Sequence, residues 1–172
     1  GDGLKSNEIG YLPQQTVVQR DFPASVREIV LSGCQGRMGL RPFYSKSDKL
    51  LAEENMKKME ITDLSKRCYR ELSGGQRVLL ARALCATQKL LLLDEPVSGL
   101  DPRVTAGMYQ TIKSLNEEGI SIIMISHDVN AAVKYASHIL HIGHTIFYGT
   151  TEEYINSPIG QIFLEREGQS ND

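Results

Sequence analysis

Residues 90–93 are four consecutive leucines that run into Asp94 and Glu95, and Pro96 closes the segment. A strand that is apolar without alternation is the kind buried on both faces, as in a parallel sheet covered by helices on each side. Open sheets of that type place their ligands outside the carboxyl ends of the strands. The run therefore predicts an α/β chain and puts two adjacent carboxylates at the edge where chemistry is done. The proline cannot continue the ladder and marks the turn that follows.

The segment just upstream, residues 72–76, reads Leu-Ser-Gly-Gly-Gln. Ser73 followed three positions later by Gln76 is a capping-box pattern, so a helix is expected to start at Ser73. The free N–H groups and positive dipole end of a helix start attract anions. Gly74 and Gly75 put no side chain between that backbone and a phosphate. Downstream of the strand, Ser98, Gly99, Leu100 and Asp101 lead to Pro102, which suits the first turn of a helix.

In this order and combination the segments resemble those of the ATP-binding subunit of ABC transporters. Residues 72–76 look like the signature motif, 90–95 like the Walker B strand with its following catalytic carboxylate, and 98–101 like the D-loop. The resemblance implies a P-loop NTPase core with an inserted helical subdomain, using ATP and Mg²⁺. It implies that Asp94 holds Mg²⁺ and that Glu95 activates the attacking water. Gln14, after the short strand expected over 8–13, matches the Q-loop glutamine, whose neutral amide oxygen would coordinate Mg²⁺ or the attacking water. His127 matches the H-loop residue that bonds the γ-phosphate. Ser73, Gly74, Gly75 and Gln76 would close over the nucleotide of a second, head-to-tail subunit, with Asp101 connecting the two sites. Gly99 stands where the family more often has alanine, implying a more flexible D-loop.

No G-x-x-x-x-G-K-[ST] phosphate loop occurs in the 172 residues. In the family that loop precedes the motifs quoted above. The resemblance is therefore to a domain incomplete at its N-terminus, with residues 1–172 inactive by themselves. The expected organisation is a partial RecA-like core over 1–20 and 88–167, a helical subdomain over 21–87 and a tail over 168–172. Without the phosphate-loop strand, strands 90–93 and 120–125 are expected to carry an unpaired apolar edge that self-associates, swaps elements with a neighbouring copy, or takes 8–13 as a substitute strand.

Formal charge is −2, which gives no electrostatic case for non-specific nucleic-acid binding. No apolar run approaches the roughly 18–20 residues that span a bilayer, and no signal-peptide pattern opens the sequence. The resemblance implies a peripheral protein on the cytoplasmic face of a membrane. Its partners would be a transmembrane permease, a second ATPase subunit and, indirectly, a solute-binding protein. Residues 10–14 and 21–28 look most like ATPases of bacterial zinc and manganese importers. Two other readings stay open: a soluble ABC-type ATPase acting on nucleic acid or ribosomes, and a non-catalytic docking module.

The rest of the chain follows local signals. Pro23 and Ser25 open a helix with Val26, Ile29 and Val30 on one face. Residues 33–42, with three glycines, read as a loop that exposes Phe43 and Tyr44 and is a candidate permease contact. Ser47 or Asp48 is expected to cap a second helix carrying Leu51, Asn55, Met56 and Met59 inward. A helix is expected over 103–118, ended by Gly119, then a second buried strand over 120–125. Asp128 should cap a helix over 129–137. Residues 139–142 and 145–148 read as a hairpin, followed by helices over 150–156 and 159–167 and a frayed end from Gly168. Cys34, Cys68 and Cys85 lack metal or redox spacing. His138, His141 and His144 are not expected to bind metal, because strand positions three apart face opposite ways.

Overall fold

The computed structural model describes residues 8–14, 23–72 and 75–169. The chain divides into two compact units, Gly1–Ile125 and Ser126–Asp172.

The first unit holds a parallel sheet of β1 (Ile9–Leu12), β2 (Leu90–Asp94) and β3 (Ser121–Ile125), in that spatial order. Tyr11 pairs with Leu92, and Leu92 with Ile123. The helices are α1 (Val26–Ser32), α2 (Gln35–Met38), α3 (Lys46–Lys58), α4 (Gln76–Ala86) and α5 (Pro102–Glu117). Leu91 and Leu93 face a core that also contains Leu12, Leu80, Leu84, Met108, Ile112 and Leu115, with Ile122 and Met124 packed against it. Here the expectation of strands buried on both faces is corrected. Burial alternates along β2, and Ile123 and Ile125 of β3 are 57% and 58% exposed, because the helical core covers the face of Leu91 and Leu93. The expected free edge on residues 90–93 is also corrected: β2 is hydrogen-bonded to a strand on each side, and β1 is one of those neighbours.

Helix α4 lies at the centre of this unit. Eight of its eleven residues are buried, as in a helix surrounded by protein rather than lying on a surface. It approaches β1 so closely that a Cβ on Gly10 would stand 2.6 Å from the Ala83 carbonyl oxygen. It approaches the end of α1 more closely still, since a Cβ on Gly33 would stand 2.0 Å from the Arg82 carbonyl oxygen. On its third side, Asn55 of α3 donates to Cys85 Sγ at 3.4 Å. Cys34 and Cys85 are buried here, and burial pushes the Cys85 thiol up to about 12.

Several caps match the sequence signals. Ser25 and Glu28 form a capping box on α1, and Pro102 occupies the first turn of α5. Gly119 takes a positive φ of 97° after α5. Others differ. Ser45, not Ser47 or Asp48, caps α3, because Ser45 Oγ accepts from the Asp48 amide while the Asp48 carboxylate accepts from the Ser45 amide at 2.8 Å. Within the expected loop over 33–42, residues 35–38 close into the single turn α2. Phe43 and Leu40 beside it are exposed, and Tyr44 packs against the core.

The second unit contains α6 (Val129–Tyr135), an antiparallel pair β4 (His138–Ile142) and β5 (Ile146–Thr150), α7 (Thr151–Asn156) and α8 (Pro158–Gln169). Asp128 caps α6 by accepting from the Ala131 amide at 2.8 Å. Helix α8 continues through the expected frayed start at Gly168. The unit packs around buried Tyr154, whose hydroxyl lies 2.9 Å from His141 Nδ1 and whose ring meets Phe147 edge-on. His138 stacks on Tyr148. Among the described residues no helix is long and apolar enough to cross a membrane.

The Gly33 contact is with backbone, which cannot move aside as a side-chain tip can. Gly33→Ala is expected to destabilise the protein by about 1–3 kcal/mol through overpacking. Gly36→Ala, which meets no atom within 4 Å, should be neutral or slightly stabilising. Urea unfolding of the two variants beside the wild type checks the contrast.

Candidate nucleotide site at the strand ends

The parallel strands bring Gln14, two residues beyond β1, and Asp94 and Glu95, at the end of β2, to the same edge of the sheet. Glu95 continues the ladder by donating its amide to the Ile125 carbonyl at 3.1 Å. Its backbone then turns into the left-handed region at φ 49°, which no glycine relieves. Such a conformation costs about 1–3 kcal/mol and persists where the surroundings over-determine it, commonly at functional sites. The turn is closed by Ser98 N donating to the Glu95 carbonyl at 3.1 Å and Leu100 N to that of Val97 at 3.2 Å. Gly99 sits within it at φ 72°. That accounts for glycine at this position, since alanine would be strained in this turn.

Asp94 is half-buried. Its carboxylate accepts one hydrogen bond among the described residues, from the Tyr11 hydroxyl at 3.4 Å to Oδ2. No lysine or arginine among the described residues pairs with it. Asp101 caps α5, its Oδ1 accepting from the amides of Arg103 and Val104 at 3.0 and 3.1 Å.

Helix α4 starts at Gln76 with Gly75 as its cap residue, rather than at Ser73 as the capping-box pattern predicts. Two packing facts set this start. The space a Gly75 Cβ would need is taken by the Tyr69 ring, 2.5 Å away. Gln76 is only 3% exposed and donates its amide to the Ser98 carbonyl at 3.4 Å, while its Oε1 has no hydrogen-bond partner among the described residues. The start of α4 is thereby tied to the turn after β2. Behind it, Arg77 donates to the Met59 carbonyl at 3.3 Å and pairs with Glu60 at 3.1 Å. Ser73 and Gly74 lie outside the described residues. His127 is exposed and belongs to the second unit, where it immediately precedes the cap residue Asp128.

Three features were missed by sequence reasoning: the Tyr11 contact, the Ser98 carbonyl as a partner for Gln76, and the capping role of Asp101. Only the last carried a signal, since Asp followed by Pro is a helix-start pattern.

A parallel sheet that presents adjacent carboxylates past a strand end, with a helix start tied to the same turn, is built like a nucleotide hydrolase. Residues 3–98 match the ABC transporter family, and the chain belongs to it. It is 38% identical over 148 residues to the manganese transport system ATP-binding protein MntB of Bacillus subtilis, covering 84% of this chain and 59% of that protein. It is 36% identical over 152 residues to the zinc uptake system ATP-binding protein ZurA of Listeria innocua, covering 86% and 59%. Identity is 36% over 145 residues to the chelated iron transport system membrane protein YfeB of Yersinia pestis, covering 83% and 49%. The chain thus spans about half to three-fifths of the length of these relatives. A solved inward-facing ABC transporter of metal-chelate type superposes with a TM-score of 0.82 at 27% identity, covering 92% of this chain and 64% of that one. The ADP conformation of MJ1267, an ATP-binding cassette of an ABC transporter, superposes with a TM-score of 0.72 at 20% identity, covering 91% and 68%. The fold is that of the P-loop NTPases.

Because Asp101 makes two hydrogen bonds to the start of α5, Asp101→Ala is expected to cost about 0.5–2 kcal/mol of stability, the worth of a helix cap. Asp101→Asn keeps an acceptor oxygen and should retain most of it. Thermal unfolding of the two variants separates capping from charge.

Proposed function

We propose that this chain is the carboxyl-terminal portion of an ATP-hydrolysing subunit that drives import of a metal ion or its chelate across a membrane. The observation that carries the reading is the pair of Asp94, at the end of β2, and Glu95, in its left-handed turn. The importer class rests on the relatives, which are named for manganese, zinc and chelated iron. Residues 1–20 and 88–167 would belong to the ATPase core and 21–87 to the helical subdomain.

Asp94 fits Mg²⁺: it is a hard oxygen donor at the sheet edge, unpaired with any cation of the described residues. Magnesium is commonly held by one or two carboxylates together with substrate phosphates and water. The ion would neutralise charge on the transferring phosphoryl group. In this reading Asp94 holds Mg²⁺, and Glu95 accepts a proton from the water that attacks the γ-phosphorus. Gln14 orients that water through a neutral amide that can release it at low cost. By family likeness His127 donates to the γ-phosphate. By the same likeness Ser73, Gly74, Gly75 and Gln76 belong to the segment that would close over the nucleotide of a second subunit, with buried Gln76 holding that segment to the Ser98 carbonyl, and Asp101 would lie on the connection between the two sites. The partners in this reading are a second ATPase subunit and a transmembrane permease, and through it a solute-binding protein, at the cytoplasmic face of the membrane.

Glu95→Gln in the full-length protein keeps the side-chain shape and removes the base. It is expected to retain ATP affinity within a few-fold and to lose about 10²–10⁴-fold in turnover. Turnover within a few-fold of wild type would remove Glu95 from this role.

Residues 1–172 contain no G-x-x-x-x-G-K-[ST] segment, which in other nucleotide hydrolases supplies backbone amides and a lysine to the phosphates. Hydrogen bonds to charged groups contribute about 1.5–3 kcal/mol each. Residues 1–172 alone are therefore expected to bind Mg-ATP more weakly than micromolar. Isothermal calorimetry on that segment measures it, and micromolar binding would contradict the expectation.

A further inference from the structure

Tyr11 has no assigned task in the reading above, yet its hydroxyl is the group that touches Asp94. Its position follows from register. In the parallel pairing of β1 with β2, Tyr11 stands beside Leu92, and Asp94 lies two residues further along. Residues two apart in a strand share a face. Tyr11, Leu92 and Asp94 therefore lie on one face of the sheet, opposite the one that buries Leu12, Leu91 and Leu93. The ring of Tyr11 leans toward the carboxyl end of β2 and brings its hydroxyl within 3.4 Å of Asp94 Oδ2. Tyr11 is 54% exposed, so burial of its ring does not by itself account for that orientation.

The chemistry of this contact differs from that of an ion pair. A lysine or arginine on Asp94 would neutralise the charge a divalent cation needs. A phenol donates one hydrogen bond and carries no charge near neutral pH. It donates to one lone pair of Oδ2 and leaves Oδ1 available, without cancelling the charge the two oxygens share. Carboxylates that ligate metals are oriented by hydrogen bonds of this kind, and loss of such a partner lowers metal affinity. We infer that Tyr11 is a positioning residue for Asp94, fixing the rotation of its carboxylate for a divalent cation. This rests on the reading of Asp94 as the Mg²⁺ ligand. It adds a group on a different strand, two residues before Pro13 and three before Gln14, so that β1 supplies both the orienting hydroxyl and the glutamine that follows.

The test uses the full-length protein with Mn²⁺ in place of Mg²⁺, followed by electron paramagnetic resonance in the presence of a non-hydrolysable ATP analogue. Tyr11→Phe keeps the ring and removes the hydroxyl. Its Mn²⁺ dissociation constant should rise about threefold to tenfold, the worth of one net hydrogen bond. Nucleotide affinity measured in excess chelator should stay within twofold. Turnover at limiting Mn²⁺ should fall and recover at saturating Mn²⁺, with KM for ATP unchanged, a rescue that a general loss of structure would not give. Tyr11→Leu should match Tyr11→Phe. A Mn²⁺ constant for Tyr11→Phe within twofold of wild type overturns the inference, and so does a loss confined to Tyr11→Leu, which would place the effect in the ring. Asp94→Asn serves as the reference. If it weakens Mn²⁺ binding strongly while Tyr11→Phe does not, only the role of Tyr11 fails. If Asp94→Asn leaves Mn²⁺ binding unchanged, the assignment of Asp94 fails and takes this inference with it.

Discussion

The structure of the first unit depends on how closely the backbone of α4 approaches its neighbours. At Gly10 and Gly33 the contact is so close that no side chain fits between helix and partner. These two contacts fix α4 against a sheet strand on one side and against α1 on the other. Interiors packed at crystal-like density transmit such constraints rather than absorbing them. The position of β1, and with it of Tyr11 and Gln14, is therefore set from the same helix that begins at Gln76. Elements far apart in the sequence are brought into one frame by two missing Cβ atoms.

That frame explains why the turn after β2 is so fully determined. Its first residue is held to β3 through the Glu95 amide, and its last residue is held to α5 through the Asp101 cap. In between, Gln76 grips the Ser98 carbonyl from the start of α4. A left-handed glutamate is tolerable only with such support, because the strain has to be offset by contacts on several sides. The charge pattern is consistent with it. The carboxylate of Asp94 meets a neutral hydroxyl, while the salt bridges of the helical region, such as Arg27–Glu53 at 2.7 Å, lie on other elements.

Much of this could be read from residue order. The leucine run, its carboxylates and the Leu-Ser-Gly-Gly-Gln segment pointed to the sheet edge and to the family, because periodicity and motif spacing are local properties. The caps at Ser25 and Asp128 were legible for the same reason. What could not be read were facts of register and close approach. Nothing local in the sequence places Tyr11 beside Leu92, since that depends on pairing across some eighty intervening residues. The start of α4 was misplaced because the Ser73–Gln76 pattern is a sound local signal, but burial of Gln76 against Ser98 and the Tyr69 ring against Gly75 outweigh it. The burial of β3 was overestimated because an apolar run does not reveal how many of its faces the helices cover.

The three cysteines are sorted by the same packing. Cys34 and Cys85 are sealed beside α4, and a thiol whose ionisation is pushed up to about 12 supplies almost no thiolate at neutral pH. Cys68 is half-buried and stands in an isolated bridge to Ser25, four residues ahead of Leu72. A maleimide dye added to the native protein would be steered to that one sulfur. Within residues 1–172 the fold thereby offers a ready attachment point for a fluorescent reporter four residues ahead of Leu72, without removal of Cys34 or Cys85.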